Sequence, residues 1–287
     1  MISSSKSASA TLPQIITDLS PQAVVDAIES NLIEASATLG RSANGVVYRG
    51  PDVAWVYTGF PLLSRVMRAR FSSEEAEDRV SKILGCFKKW DASVSWIISP
   101  GSSPMKLGEL LHNAGFGSSE SRSAMAMTLS TDLADSDPAW PVGLRIQTVS
   151  DEVGLRAWAT LSSDAVFHGD SDGAVQIFSP ANAGGDSRCR YYLGYLDGQP
   201  IARAMSFADG DVTVIYWLTT LRTHRGRGVG KAMAHRLLSD ARQSGSRMAV
   251  ISTPQTGLEL CRQMGFKSYC QFHVYHWPPS PLRMPYA

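Results

Sequence analysis

The chain has 287 residues, 44% hydrophobic and 18% charged, with 27 basic against 26 acidic side chains and a formal net charge of +1. That length is long for one average domain and suits two, each able to bury a core. The near-neutral balance excludes a global field steering the protein to nucleic acid or an anionic membrane, and no apolar run reaches the roughly 18 residues of a membrane span.

The opening MISSSKSASAT lacks the apolar core of a signal peptide. Residues 1–12 are therefore expected to be a disordered polar leader, and the protein cytoplasmic. Cys86, Cys189, Cys261 and Cys270 show no CxxC spacing and no paired His cluster, so neither a metal site nor a disulfide framework is expected. A first unit is expected over 13–130. Within it, 72–90 predicts a helix with a serine cap and an acidic first turn, and 93–100 a short buried strand. Residues 103–116 then predict a helix with Ser103 as N-cap and Pro104 in its first turn.

Residues 131–141, polar and punctuated by proline, predict a linker to a second unit over 142–287. There, VFHGDSDG (166–173) reads as a loop, and 189–207 as two strands joined around Asp197–Gly198. A turn at 208–211 leads into the strand VTVIYWLTTL (212–221). The stretch 225–245 predicts a glycine loop and an amphipathic helix whose apolar face is Val229, Met233, Leu237 and Ala241. A strand over 247–253 and a Thr–Pro-started helix over 253–266 follow.

The two final helices superpose at an offset of 150 residues. Ser103 answers Thr253, Pro104 answers Pro254, Glu109 answers Glu259 and Leu110 answers Leu260, while the closing Gly115–Phe116 answers Gly265–Phe266. Gly–Phe is a common helix stop, but the matching strands and preceding helices favour duplication. The expected class is α/β (α+β): two tandem units, each a mixed, mostly antiparallel sheet flanked by helices.

The densest chemical signal is RGRGVGK: Arg225, Gly226, Arg227, Gly228, Val229, Gly230 and Lys231 at the start of the amphipathic helix. Glycines let the backbone approach a ligand, and the unpaired N–H groups of a helix N-terminus favour an anion. Basic side chains would neutralise the rest of a pyrophosphate's charge. The loop is not a P-loop, which needs glycine at Arg225 and a hydroxyl residue at Ala232. It is not a GxGxxG fingerprint either, because Lys231 and Met233 occupy the last glycine positions.

Arg225, Gly228 and Gly230 match the Q/R-x-x-G-x-G/A signature of the GNAT (Gcn5-related N-acetyltransferase) family, and the second half resembles that family throughout. The resemblance implies acetyl-CoA or another acyl-CoA as co-substrate, its pyrophosphate on the glycine loop and its pantetheine arm along Leu218, Thr219 and Thr220. It also implies a backbone N–H that polarises the thioester oxygen. The first half keeps the scaffold without the loop: no glycine lies between Leu62 and Val80, and Glu74, Glu75 and Glu77 stand at the helix start. On this reading the first half is a degenerate unit that does not bind CoA in the usual way.

Many family members protonate the departing thiolate with a tyrosine in LYxxxGF. Here that position is Cys261, which is read as a small core residue, with a thiol proton donor or an acyl carrier as alternatives. Its counterpart in the first half is Leu111. Proline at Pro254 replaces an asparagine that touches the pantetheine arm in some family members. Tyr216 is a candidate to hold a water or orient the acceptor. His168, Asp170 and Trp217 are acceptor-side candidates.

The function implied is transfer of a short acyl group from acyl-CoA to an amine of a small molecule or peptide. One alternative takes the acyl group from an aminoacyl-tRNA, against which the balanced charge speaks. A second is a non-catalytic CoA-binding scaffold. A third sends the same fold to hydroxyl or thiol acceptors, or to thioester decarboxylation.

Overall fold

The computed structural model describes residues 20–60, 63–129, 140–161, 171–178 and 188–279, so the expected leader and nearly all of the 131–141 linker lie outside the described residues. The first half opens with α1 (Pro21–Ser42), started by Ser20, whose hydroxyl accepts from the Ala23 amide, with Pro21 in the first turn. An antiparallel meander follows: β1 (Val46–Arg49), β2 (Ala54–Tyr57) and β3 (Arg65–Met67). Then come α2 (Ala76–Lys89), β4 (Val94–Ile98), α3 (Leu107–Asn113) and β5 (Gly117–Thr128).

The second half runs β6 (Arg145–Thr148), α4 (Glu152–Thr160), α5 (Ser171–Phe178), β7 (Cys189–Leu196), β8 (Gln199–Asp209) and β9 (Val212–Thr220). It closes with α6 (Val229–Gln243), β10 (Met248–Thr253), α7 (Leu258–Gln263) and β11 (Lys267–Trp277). The antiparallel β7–β8–β9 meander turns at Asp197–Gly198 and Gly210, where positive φ angles of +51°, +77° and +57° make the tight reversals.

Two expected helix starts are corrected. Ser103 does not cap α3, which begins at Leu107. Its backbone N–H bonds to Ala69 O, its hydroxyl to Phe71 O and its carbonyl to the Phe71 amide, so it is tied to the strand-like segment before α2. Thr253 likewise starts no helix: it is the last residue of β10, paired with Ser123, and a 3₁₀ turn over Gln255–Gly257 precedes α7. The serine expected ahead of α2 does cap a turn, since Ser72 Oγ accepts from the Glu75 amide, and the α-helix proper starts at Ala76.

The expected sheets exist as two parts of one. Among the described residues eleven strands run in the order β1-β2-β3-β4-β11-β5-β10-β9-β8-β7-β6. The last strand of each half sits against the other half: β5 lies between β11 and β10, and β11 between β4 and β5. At their centre Phe272 pairs with Arg122, flanked by Gln271 with Ser123 and His273 with Ser121. Adding 150 to one number of each pair and subtracting it from the other turns the flanking pairs into one another and leaves the central pair unchanged. The register thus carries an approximate twofold axis with the offset already visible in the helices. Among the described strands β3–β4 and β9–β10 are the parallel pairs, one in each half.

Each side of this sheet is covered. On one side α6 buries Val229, Met233, Leu237 and Ala241, together with Leu258, Cys261 and Phe266 of the α7 region, against Met125, Ala249 and Ile251. On the other, α1 buries Val24, Ala27 and Ile28 against Ile97, Ala124, Val214, Val250 and Phe272. Each fully buried large aliphatic side chain contributes about 1.5–3 kcal/mol, so these interleaved layers hold the halves together.

Candidate functional site

β9 and β10 pair as parallel neighbours only from Val212–Met248 to Ile215–Ile251. Beyond that point β9 continues beside β8 alone, and the cause is local. Trp217 has φ +50°, and the β8–β9 register shifts between Arg203–Thr219 and Met205–Tyr216, which is a β-bulge. A bulge adds a residue to one strand and bends it, so the two strands part into a wedge.

The glycine loop faces the open end of that wedge. Gly226 and Gly228 have φ +75° and +82°, a conformation strained for any residue with a Cβ. Gly228 is the N-cap of α6, which has no side-chain cap. Val229 is buried in the core and anchors the helix, while Arg225, Gly226, Arg227, Gly228 and Lys231 are exposed. Arg225 Nε donates to Thr220 O at 3.1 Å, bracing the loop against the end of β9. An uncapped helix start, open space around Gly226 and four exposed basic or glycine neighbours suit a diphosphate.

A cavity of about 190 Å³ occupies the wedge. Its walls come from both sides of the sheet. Ile251, Leu260 and Cys261 belong to or pack on the α6 side, whereas Leu32, Tyr216 and Phe272 belong to or pack on the α1 side. The cavity therefore passes through the sheet. Leu218 lines it; Thr219 and Thr220 lie further along the same limb of β9.

Tyr216 stands in the cavity wall with its hydroxyl buried and without a hydrogen-bond partner among the described residues. Burial pushes that hydroxyl well above the ordinary tyrosine value, and the charge of nearby Arg65 pulls the other way. Cys261 is 3% exposed within the core beneath α6, and burial pushes its thiol up to about 11 against the downward pull of a hydrogen bond with Thr253. Its counterpart Leu111 is fully buried too. Trp217 lines the cavity while its ring packs edge-on against Trp158 and Phe178, with centroids 5.5 and 5.4 Å away. His168 and Asp170 lie outside the described residues.

Residues absent from the sequence-based candidates complete the cavity. Arg65 of β3, Ser95 of β4 and His276 of β11 are paired neighbours across three strands, and Ser95 Oγ lies 2.9 Å from His276 Nδ1. Arg122 of β5 stands opposite Phe272. No local motif marks these positions; the repeat offset, which places Arg122 and Phe272 in equivalent slots, was the one usable signal.

At the equivalent junction of the first half, α2 starts from Glu75 with Glu77 and Asp78 in its first turn, and Arg79 pairs with Asp52 at 2.5 Å. Among the described residues no group of His, Cys, Asp and Glu is arranged to hold a metal ion, and no helix is long and apolar enough to cross a membrane.

Residues 155–266 match the sequence model of the acetyltransferase (GNAT) family, and the chain carries a GNAT-family domain there. A GCN5-related N-acetyltransferase from Kribbella flavida superposes with a TM-score of 0.64 at 18% identity, over 86% of this chain and 96% of that one. A second, from Sphaerobacter thermophilus, gives 0.57 at 16% identity, over 93% and 96%. A tandem GNAT protein from the clavulanic acid biosynthesis pathway gives 0.56 at 13% identity, over 92% and 97%. At such identities these likenesses establish the fold, which extends over both halves. No curated protein matches the chain.

Proposed function

We propose that the protein transfers a short acyl group from acyl-CoA, acetyl-CoA foremost, to an amine, using a single donor site in its second half. The observation that carries this reading is the junction of three features at one point: the splayed β9–β10 pair, the exposed glycine loop and the uncapped α6 start. The residues fit the donor: Gly226 to Lys231 would hold the diphosphate through backbone N–H groups. The strand limb Leu218–Thr220, no longer paired to β10, offers its backbone to the pantetheine arm.

Acyl-CoA would supply an activated thioester carbonyl at the neck of the cavity. The neutral amine attacks from the α1 side, its C–N bond forms as the C–S bond breaks, and the proton that the nitrogen gives up ends on the departing sulfur. Tyr216, in the cavity wall, would relay that proton, giving its own hydrogen to the sulfur as it takes the one leaving the nitrogen. Its hydroxyl keeps its hydrogen throughout the neutral range because burial disfavours the phenolate. Cys261 keeps a packing role, since it is buried among apolar neighbours and its thiol holds its proton at neutral pH.

The test incubates the protein with acetyl-CoA and a panel of small amines, following free thiol and product mass. Amine-dependent thiol release with a matching acylated product supports the reading. CoA binding without release for any amine, hydroxyl or thiol acceptor would leave a binding protein instead.

A further inference from the structure

The bulge that parts β9 from β10 is held from β8 and α4. Arg203 of β8 is 1% exposed and pairs with Thr219 on one side of the bulge, while Met205 pairs with Tyr216 on the other. The Arg203 guanidinium lies over the ring of Trp158, 4.3 Å from its centroid, and over the ring of Trp217 at 6.0 Å. Its Nη1 donates at 3.0 Å to the carbonyl of Trp158. That carbonyl belongs to the last turn of α4, where carbonyls lack helical partners and a cation is favoured. Trp158 Nε1 in turn donates at 2.9 Å to the carbonyl of Ala204, the β8 residue between the two registers. Trp158, Arg203 and Trp217 form one brace across the bulge, fastened to α4 at one end and to β9 at the other.

Trp217 has φ +50°, a left-handed conformation that is costly for any residue with a Cβ and persists only where its surroundings hold it. With Trp217 relaxed to an extended conformation, β9 loses the bend that the bulge supplies and can continue beside β10. We infer that Arg203 is a positioning residue for the donor. Acting through Trp217, it keeps the limb Leu218–Thr220 away from β10, so that the pantetheine arm finds the backbone of that limb open. The inference rests on the donor reading above. A guanidinium keeps its charge when buried, and stacked on a desolvated indole it makes a strong contact. Lysine would keep the charge and lose the planar stack. A site that is open only part of the time binds its ligand more weakly by that fraction. Arg203 thus acts on the affinity for acyl-CoA rather than on the chemical step.

The experiment titrates two probes into the whole protein and its variants. One is CoA, and the other is adenosine 3′-phosphate 5′-diphosphate, the half of CoA that lacks the pantetheine arm. In Arg203→Met, CoA affinity should weaken about 10-fold, the scale of a desolvated cation–π contact. The fragment should bind as it does to the unaltered protein, because the glycine loop is untouched. With any amine that the protein acylates, the loss should fall on the acyl-CoA KM and spare kcat to within about twofold. Arg203→Lys should recover part of the CoA affinity. Trp158→Phe keeps a ring and removes the donor to Ala204, so it should weaken CoA about 5-fold with the fragment again spared. That variant decides the question if Arg203→Met does not fold. CoA affinity unchanged in these variants, or a loss shared equally by the fragment, would overturn the inference and leave the donor site standing. Failure of the unaltered protein to bind either probe would remove the donor reading, and this inference with it.

Discussion

Arg122 on β5 stands directly opposite Phe272 on β11, and the two occupy equivalent positions of a duplicated plan 150 residues apart. The strands they sit on are the ones exchanged between the halves. Without β5, strands β10 and β11 would each expose an unpaired edge, and Ala124, Met125 and Ala126 would leave two core layers.

Residues 140–287 expressed alone are therefore expected to be insoluble or molten, and co-expression with residues 1–139 to restore a folded complex. Size-exclusion chromatography and circular dichroism check this. A soluble, cooperatively melting C-terminal fragment would contradict the shared-sheet account.

Arg225→Glu and Gly228→Asp each put a carboxylate where the account places a diphosphate. Gly228 also has φ +82°, so its replacement adds a left-handed-backbone cost of roughly 1–2 kcal/mol. CoA affinity should fall at least 100-fold in both, with a cooperative thermal transition retained. Unchanged affinity in the two variants would place the donor elsewhere.

Tyr216→Phe removes a buried hydroxyl that has no partner. Its deletion should leave stability unchanged or raise it by about 1 kcal/mol. Turnover should fall on the order of 10²-fold if the hydroxyl serves the departing sulfur. Full turnover in this variant would exclude Tyr216 from the reaction.

Much of this arrangement is legible in the sequence, for physical reasons. The α6 face, the strands at 189–221 and the glycine loop are set by local periodicity and by turn residues, and both bounds and burial follow them closely. The starts of α3 and α7 are not so set. Ser103 and Thr253 carry capping side chains, but backbone bonds to Ala69 and pairing with Ser123 claim them first. α1 is obscure because polar Glu29, Asn31, Ser36 and Thr38 are buried beside Val24 and Ile28, blurring its apolar face. The row Arg65–Ser95–His276 is assembled from three distant strands, and only the exchange of β11 brings them together.

Cys261→Ala and Cys261→Ser should both keep turnover. Alanine leaves a small cavity worth about 1 kcal/mol, and serine buries a hydroxyl at about 1–3 kcal/mol. Thermal melts and steady-state kinetics decide it. A large loss of turnover with stability preserved would show that the thiol takes part.

Stability should also decline in alkali. Burial pushes the Cys261 and Cys270 thiols up to about 11 from an ordinary value of about 9. Between those values the unfolded chain releases protons that the folded one retains, so stability is full below pH 9 and is lost as pH rises through 11. The melting temperature across pH 8–11 should fall, and fall less steeply in Cys261→Ala. A flat profile would contradict the raised thiols of buried Cys261 and half-buried Cys270.

The central claim is one acyl-CoA site per chain, built by the loop Gly226–Lys231 and the splayed limb of β9. Isothermal titration of CoA into the whole protein measures it directly. The account predicts a stoichiometry of one per chain that disappears in Gly228→Asp. Two equivalent sites, or one site indifferent to that substitution, would contradict it.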